Sequence, residues 1–117
     1  MRAIIQFVPG LNETVLPEIQ LTRSIDGSTG TAQFQFKNPI IFKKNTLKRG
    51  EITGMYLIDQ EGVLETREIN TKFRDGKPEI MEAIYVMKSS ECWNRFMRFM
   101  QRYSQTNNLI FTKANSN

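Results

Sequence analysis

The side chains that carry most protein chemistry are scarce in this chain, or badly spaced for it. Histidine, the commonest general acid–base and metal-ligand residue, does not occur, which lowers the expectation of an enzyme. The single cysteine, Cys92, falls in the first turn of a predicted helix, where the dipole can lower a thiol pKa. Without a histidine or a second cysteine as partner, it reads as a small packing residue. One cysteine also excludes an intrachain disulfide and fits a reducing compartment. Glu65 and Glu68 stand on a predicted strand at a spacing that points them to opposite faces, a poor acid–base pair. Asp59 and Glu61 share a turn, but two carboxylates without further spaced oxygen ligands make only a weak calcium signal. Asn12-Glu13-Thr14 matches a glycosylation sequon, which has meaning only in a secreted protein.

Two further patterns invite a binding function. Gly27-Ser28-Thr29-Gly30 resembles a phosphate or RNA loop in composition. A Walker loop, however, needs a following Gly-Lys-Ser/Thr and a helix, and an RNA-binding GxxG lies between helices. Here strand patterns stand on both sides, so the segment reads as a hairpin turn. Arg95, Arg98 and Arg102 form a basic stripe opposite the apolar side of the C-terminal helix. It is either a solvated helix face or a docking surface for an acidic protein or anionic lipid.

Charge is zoned along the chain, whose formal net charge is +4. From Lys37 to Arg49 there are five basic residues and no acidic one, whereas Gly50 to Met87 carries eight acidic residues against four basic. The C-terminal part turns positive again. Opposed zones suit orientation on a polar partner better than tracking of a uniform phosphate backbone.

The elements that must position these residues are mostly strands. Glu18 to Thr22 and Thr31 to Phe36 alternate polar and apolar, the second with Ala32, Phe34 and Phe36 on one face, and Asp26 to Gly30 joins them as a hairpin. Asn38-Pro39 stops the strand. Ile40 to Gly50 is apolar and then basic, either a short helix or an ordered loop. Strands follow at Ile52 to Ile58, Val63 to Phe73 and Pro78 to Met87, turned by Asp59-Gln60-Glu61-Gly62 and Asp75-Gly76, which predicts a three-stranded antiparallel meander. From Ser89 the apolar period becomes helical through Trp93, Phe96, Met97, Met100 and Tyr103, predicting one helix over Ser90 to Thr106 with Ser89 as N-cap. Leu109 to Phe111 reads as a last short strand, and 114–117 as a frayed tail. The fold expected is α+β: a mainly antiparallel sheet of about five strands with a C-terminal amphipathic helix packed on it, one domain over 1–113. The last long strand is apolar on both faces, so the sheet needs cover beyond that helix. Either Ile40 to Arg49 or a partner supplies it, in the second case by strand addition at an open edge.

With 117 residues, 39% of them apolar, the chain can bury one core. The apolar run at Met1 to Pro9 is too short for a signal-peptide core and lacks a small-residue cleavage site, and no stretch reaches the length of a membrane span.

Ordered blocks over nearly the whole chain resemble a known family. They are Leu21-Thr22-Arg23-Ser24 with Asp26-Gly27-Ser28 and Gly30-Thr31-Ala32, then Phe34-Gln35-Phe36-Lys37-Asn38-Pro39 and Ile52-Thr53-Gly54-Met55-Tyr56-Leu57-Ile58-Asp59. Thr66-Arg67-Glu68-Ile69-Asn70, Lys72-Phe73 and Trp93-Asn94-Arg95-Phe96-Met97-Arg98-Phe99-Met100-Gln101-Arg102-Tyr103 complete the set. The chain is similar to the photosystem II reaction-centre Psb-twenty-eight proteins, the photosystem II thirteen-kilodalton protein. It departs from them at the helix start, Ser89-Ser90-Glu91-Cys92-Trp93, and in the lysine-rich segment Phe42 to Gly50.

The resemblance implies a non-enzymatic protein without cofactor, peripheral on the cytoplasmic or stromal side of the thylakoid membrane. It further implies transient association with photosystem II assembly intermediates that contain the forty-seven-kilodalton core antenna, and stabilisation or protection of them. The family fixes no catalytic residue. From exposure and charge, the candidate partner contacts are Arg23, Tyr56, Arg67, Asn70 and Lys72 on strands, with Lys43, Lys44, Lys48 and Arg49 as an electrostatic rim. Free protein is expected to be a monomer. The competing expectation is a small basic nucleic-acid-binding domain, supported by the net charge and the arginine stripe and opposed by the eight acids of the central segment.

Overall fold

A computed structural model describes residues 2–44 and 52–108. The chain runs through strands β1 (Ile4–Val8), β2 (Leu11–Asn12), β3 (Glu18–Arg23) and β4 (Gly30–Lys37) into a short helix α1 (Ile40–Lys44). Strands β5 (Met55–Asp59), β6 (Gly62–Thr66), β7 (Ile69–Arg74) and β8 (Lys77–Met87) follow, and helix α2 (Ser90–Thr106) comes last. The strands form two antiparallel sheets of four, in the orders β2-β1-β5-β6 and β3-β4-β8-β7. The fold is α+β as expected, but with eight strands instead of about five, and two sheets instead of one. The strand expected at Leu109 to Phe111 and the tail at 114–117 lie outside the described residues.

The difference comes from two places. The meander expected from β5 to β8 is split between the sheets, because the segment read as one strand breaks at Arg67-Glu68. Thr66 Oγ1 donates to the Ile84 carbonyl at 2.6 Å and accepts from the Glu68 amide at 3.1 Å, while the Ile69 amide turns back to the Arg67 carbonyl at 3.1 Å. The chain therefore leaves the first sheet after β6 and enters the second as β7. At the N-terminus, the short apolar run is a strand in the middle of the first sheet, paired with both β2 and β5. Its alternation buries Ile5 and Phe7 and leaves Ile4 and Gln6 partly exposed.

The tight turns follow the sequence closely. Asp75 and Gly76 both have positive φ, 52° and 78°, as a two-residue hairpin between Arg74 and Lys77 requires. Ser89 caps α2, its hydroxyl accepting from the Cys92 amide at 3.1 Å. At α1 a carboxylate distant in sequence fills the corresponding role. Buried Glu13 accepts from the amides of Ile40 and Ile41 at 2.8 and 3.0 Å, satisfying donors that the first turn of a helix leaves free.

One core lies between the layers. The inner face of the second sheet presents Ala32, Phe34 and Phe36 from β4, and Met81, Ala83 and Met87 from β8, all buried. The first sheet covers one end of that face, where Phe7 meets Phe36 edge-on at 5.0 Å. Helix α2 covers the other, with Phe96 edge-on to Phe34 at 6.1 Å and stacked on Tyr85 at 5.3 Å. Cover for the inner face thus comes mainly from the first sheet together with α2, a solution invisible to a one-sheet reading.

Trp93 shows how closely α2 is seated. Its ring lies against Gly30 on one side, and the Arg23 guanidinium sits 4.8 Å from its centroid. A Cβ at position 30 would collide with the indole. Gly30→Ala is expected to lower stability by about 1–3 kcal/mol through overpacking, read from the urea midpoint. Shrinking the indole in Gly30→Ala/Trp93→Leu should cost less than the sum of the two single changes. Strict additivity would mean that the two sites do not touch.

Candidate functional site

The second sheet leaves one face uncovered by the described residues. Strand register places Glu18, Gln35, Glu82 and Asn70 side by side across β3, β4, β8 and β7. The next row is Gln20, Gln33 and Ile84, extended by Glu68, whose carbonyl accepts from the Ile84 amide at 2.9 Å. These side chains line a shallow concavity of about 420 Å³. They face outward because their neighbours along each strand, such as Phe34 and Ala83, point into the core. β3 and β7 are the edge strands of this sheet, and no other strand among the described residues pairs with their outer backbone groups.

The candidate contacts named from the sequence separate into several places. Asn70 and Lys72 stand together on the exposed side of β7, and Lys72 Nζ lies 3.2 Å from Glu82. Arg67 is exposed at the crossover between the sheets, 3.7 Å from Glu65. Tyr56 belongs to the other sheet, between Gln6 and Glu65. Arg23 is partly buried, occupied by Trp93 and by a 3.2 Å bond to the Gly27 carbonyl. Lys43 is exposed on α1 and Lys44 ends that helix, while Lys48 and Arg49 lie outside the described residues. The amide-rich row of Gln20, Gln33 and Gln35 was not singled out from the sequence. Its signal is the alternation of glutamine with core residues in Thr31 to Phe36, which identifies the inner face and leaves the outer one as remainder.

The arginine stripe is tied to acidic partners along its length, with Arg95 and Arg102 partly buried and Arg98 still exposed to solvent. Arg95 holds Asp59 through two bonds of 3.0 and 2.7 Å, and Arg102 reaches Asp59 at 2.9 Å and Glu61 at 2.5 Å. Arg98 grips Glu61 through a fork of two 2.9 Å bonds. The turn between β5 and β6 is thereby latched to α2. Burial would raise the Asp59 pKa, but the bonds from Arg95 and Arg102 outweigh it and hold the carboxyl below its ordinary value. Hydrogen bonds from Arg98 and Arg102 bring Glu61 down to about 2. The acid pair read as a weak calcium signal is thus the counter-charge of the stripe, which takes away the stripe as support for nucleic-acid binding.

Cys92 corrects another reading, since it is exposed and does not pack in the core. Among the described residues no group of three or more histidine, cysteine, aspartate or glutamate side chains is arranged to hold a metal ion. Nor is any described helix long and apolar enough to cross a membrane.

The Psb28 protein family profile matches residues 5–111. The chain belongs to the Psb28 family. It is 66% identical over 114 residues to the photosystem II reaction center Psb28 protein of Phaeodactylum tricornutum, spanning 97% of this chain and 99% of that protein. The protein of the same description from Trieres chinensis is 67% identical over the same shares. That of Nostoc sp. is 56% identical over 112 residues, 96% of this chain and 99% of the relative. Family membership agrees with the resemblance seen in the ordered blocks.

Proposed function

We propose that this protein is a photosystem II assembly factor, acting as one domain over residues 1–113. It docks transiently on the cytoplasmic or stromal face of core assembly intermediates, including those with the forty-seven-kilodalton core antenna, and stabilises or protects them. It stays peripheral to the thylakoid membrane and is a monomer when free. The observation that carries this reading is the uncovered face and open edges of the second sheet, in a chain whose relatives are named photosystem II reaction center proteins. Strand addition at the β7 edge would supply affinity through main-chain bonds, beside contacts from Arg67, Asn70 and Lys72. Lys43, Lys44, Lys48 and Arg49 act as an electrostatic rim that orients approach.

The test is an affinity pull-down with tagged protein from detergent-solubilised thylakoid membranes, resolved on a native gel and probed for the core antenna. Co-migration with immature complexes, and little with the mature dimer, is the expected result. Recovery of free protein only, or of RNA, overturns it. Neutralising all four rim residues should slow association and flatten its salt dependence, and unchanged behaviour removes the rim from the reading.

A further inference from the structure

We infer that the concave outer face of the second sheet is built to take an extended polypeptide segment carrying two basic side chains four residues apart, with a small apolar residue midway. The inference rests on the docking function proposed above and specifies the chemistry of what is docked. It starts from charge. In a chain of net charge +4, this face carries the carboxylates Glu18, Glu68 and Glu82, and among the described residues only Glu82 meets a cation, Lys72 at 3.2 Å. Glu18 and Glu68 lie at opposite edges, on β3 and beside β7.

Spacing turns this charge pattern into a sequence pattern. Three strand separations of about 4.8 Å, together with an offset of one row or about 6.8 Å along the strands, put Glu18 roughly 16 Å from Glu68. An extended chain advances about 3.3 Å per residue, so four residues cover about 13 Å and the long stems of the two basic side chains reach the remainder. Residues i and i+4 of an extended segment point to the same side, so both basic groups face the sheet together, one over each free carboxylate. Residue i+2 also faces the sheet and falls over its centre, where partly buried Ile84 is the apolar member of its row. Gln20, Gln33 and Gln35 fill the floor between. Each amide both donates and accepts, which suits the alternating N–H and C=O groups of an extended backbone. An acidic segment would meet repulsion here, and in a helix the two basic residues would stand only about 6 Å apart along the axis, too close to reach both carboxylates.

The experiment uses the full chain, labelled with ¹⁵N, and a short capped peptide alternating threonine with lysine, valine and lysine, so that the lysines stand four apart. Titration followed by amide chemical shifts should perturb Gln33, Gln35 and Ile84 and leave α2 unmoved. Moving one lysine so that the two stand three apart should weaken binding about threefold, since one exposed ion pair is lost, and Glu18→Gln/Glu68→Gln roughly tenfold, since both are. Both glutamates are exposed, Glu18 on β3 and Glu68 just before β7, so the variant should keep the wild-type spectrum elsewhere. Gln33→Lys, which places a cation on the floor, provides a second disruption. Equal affinity for both lysine spacings, indifference to the double variant, or preference for a glutamate-substituted peptide overturns the inference. The pull-down separates the two readings. Wild-type recovery of immature complexes alongside a failed titration sinks this inference alone, whereas loss of recovery by the wild-type chain sinks the docking function itself.

Discussion

Replacing Asp59 by alanine is expected to destabilise the protein by about 3–5 kcal/mol, the usual cost of removing one partner from a buried ion pair. Asp59 is fully buried at its side chain and receives Arg95 and Arg102, which are themselves largely sheltered. Its loss takes from Arg95 both of its hydrogen bonds and from Arg102 one of two, and leaves the β5–β6 turn held to α2 through Glu61 alone. In a domain whose whole stability is about 5–15 kcal/mol, this is a large share, and the melting temperature should fall by more than about 10 °C. Asp59→Asn keeps the shape without the charge and should recover part of the loss. A variant within about 0.5 kcal/mol of wild type would show that the latch contributes nothing to the fold.

The same latch sets an acid limit. The unfolded chain takes up protons at the ordinary values of 3.8 for Asp59 and 4.5 for Glu61, whereas folded Glu61 does so only at about 2 and folded Asp59 below its ordinary value. Depressed pKa values contribute stability that is full above the ordinary carboxylate range and is lost as pH falls through it toward about 2. Urea midpoints measured from neutral pH down to pH 2 should therefore decline steeply below about pH 4.5. Asp59→Asn/Glu61→Gln should show a shallower decline. An equally steep fall in that variant would place the acid sensitivity elsewhere.

Phe96→Ala is expected to cost about 3–5 kcal/mol, by lost burial and by the cavity left behind. Phe96 is fully buried and stands between Phe34 of β4 and Tyr85 of β8, so with Trp93 it keys α2 into the second sheet. Phe96→Leu keeps most of the volume and should lose under about 1.5 kcal/mol. Equilibrium denaturation with unchanged slope is the measurement. A near-neutral alanine variant would mean that α2 is held by its arginines and not by its apolar face. Neither substitution touches the outer face of the sheet, so Phe96→Leu should still recover photosystem complexes.

Local physics made much of this legible from sequence alone. Ser90–Thr106 reads as a helix because Trp93, Phe96, Met100 and Tyr103 recur at helical spacing behind a serine cap, and it is one. The hairpin at Asp26 to Gly30, the Asp75-Gly76 turn and the burial of Ala32, Phe34 and Phe36 follow likewise from period and turn chemistry, which are properties of neighbours in the chain. The ordered blocks were enough to point to the Psb28 family, because they record residue identity and need no geometry.

Tertiary structure decided what depends on distant partners. Nothing within Val63 to Phe73 announces that the strand breaks at Arg67-Glu68, since the decisive bond runs from Thr66 to Ile84, eighteen residues on. Glu13 looks like part of a surface sequon until the amides of Ile40 and Ile41, more than twenty-five residues away, are brought to its carboxylate. Arg95, Arg98 and Arg102 look solvated until the β5–β6 turn delivers Asp59 and Glu61 to them. Charge in a sequence has sign but no position, and a pairing worth several kcal/mol in a buried setting is worth almost nothing on a surface. Only the fold says which of the two applies, and it pairs the arginine stripe with Asp59 and Glu61 while leaving the amide and carboxylate rows of the second sheet uncovered by the described residues.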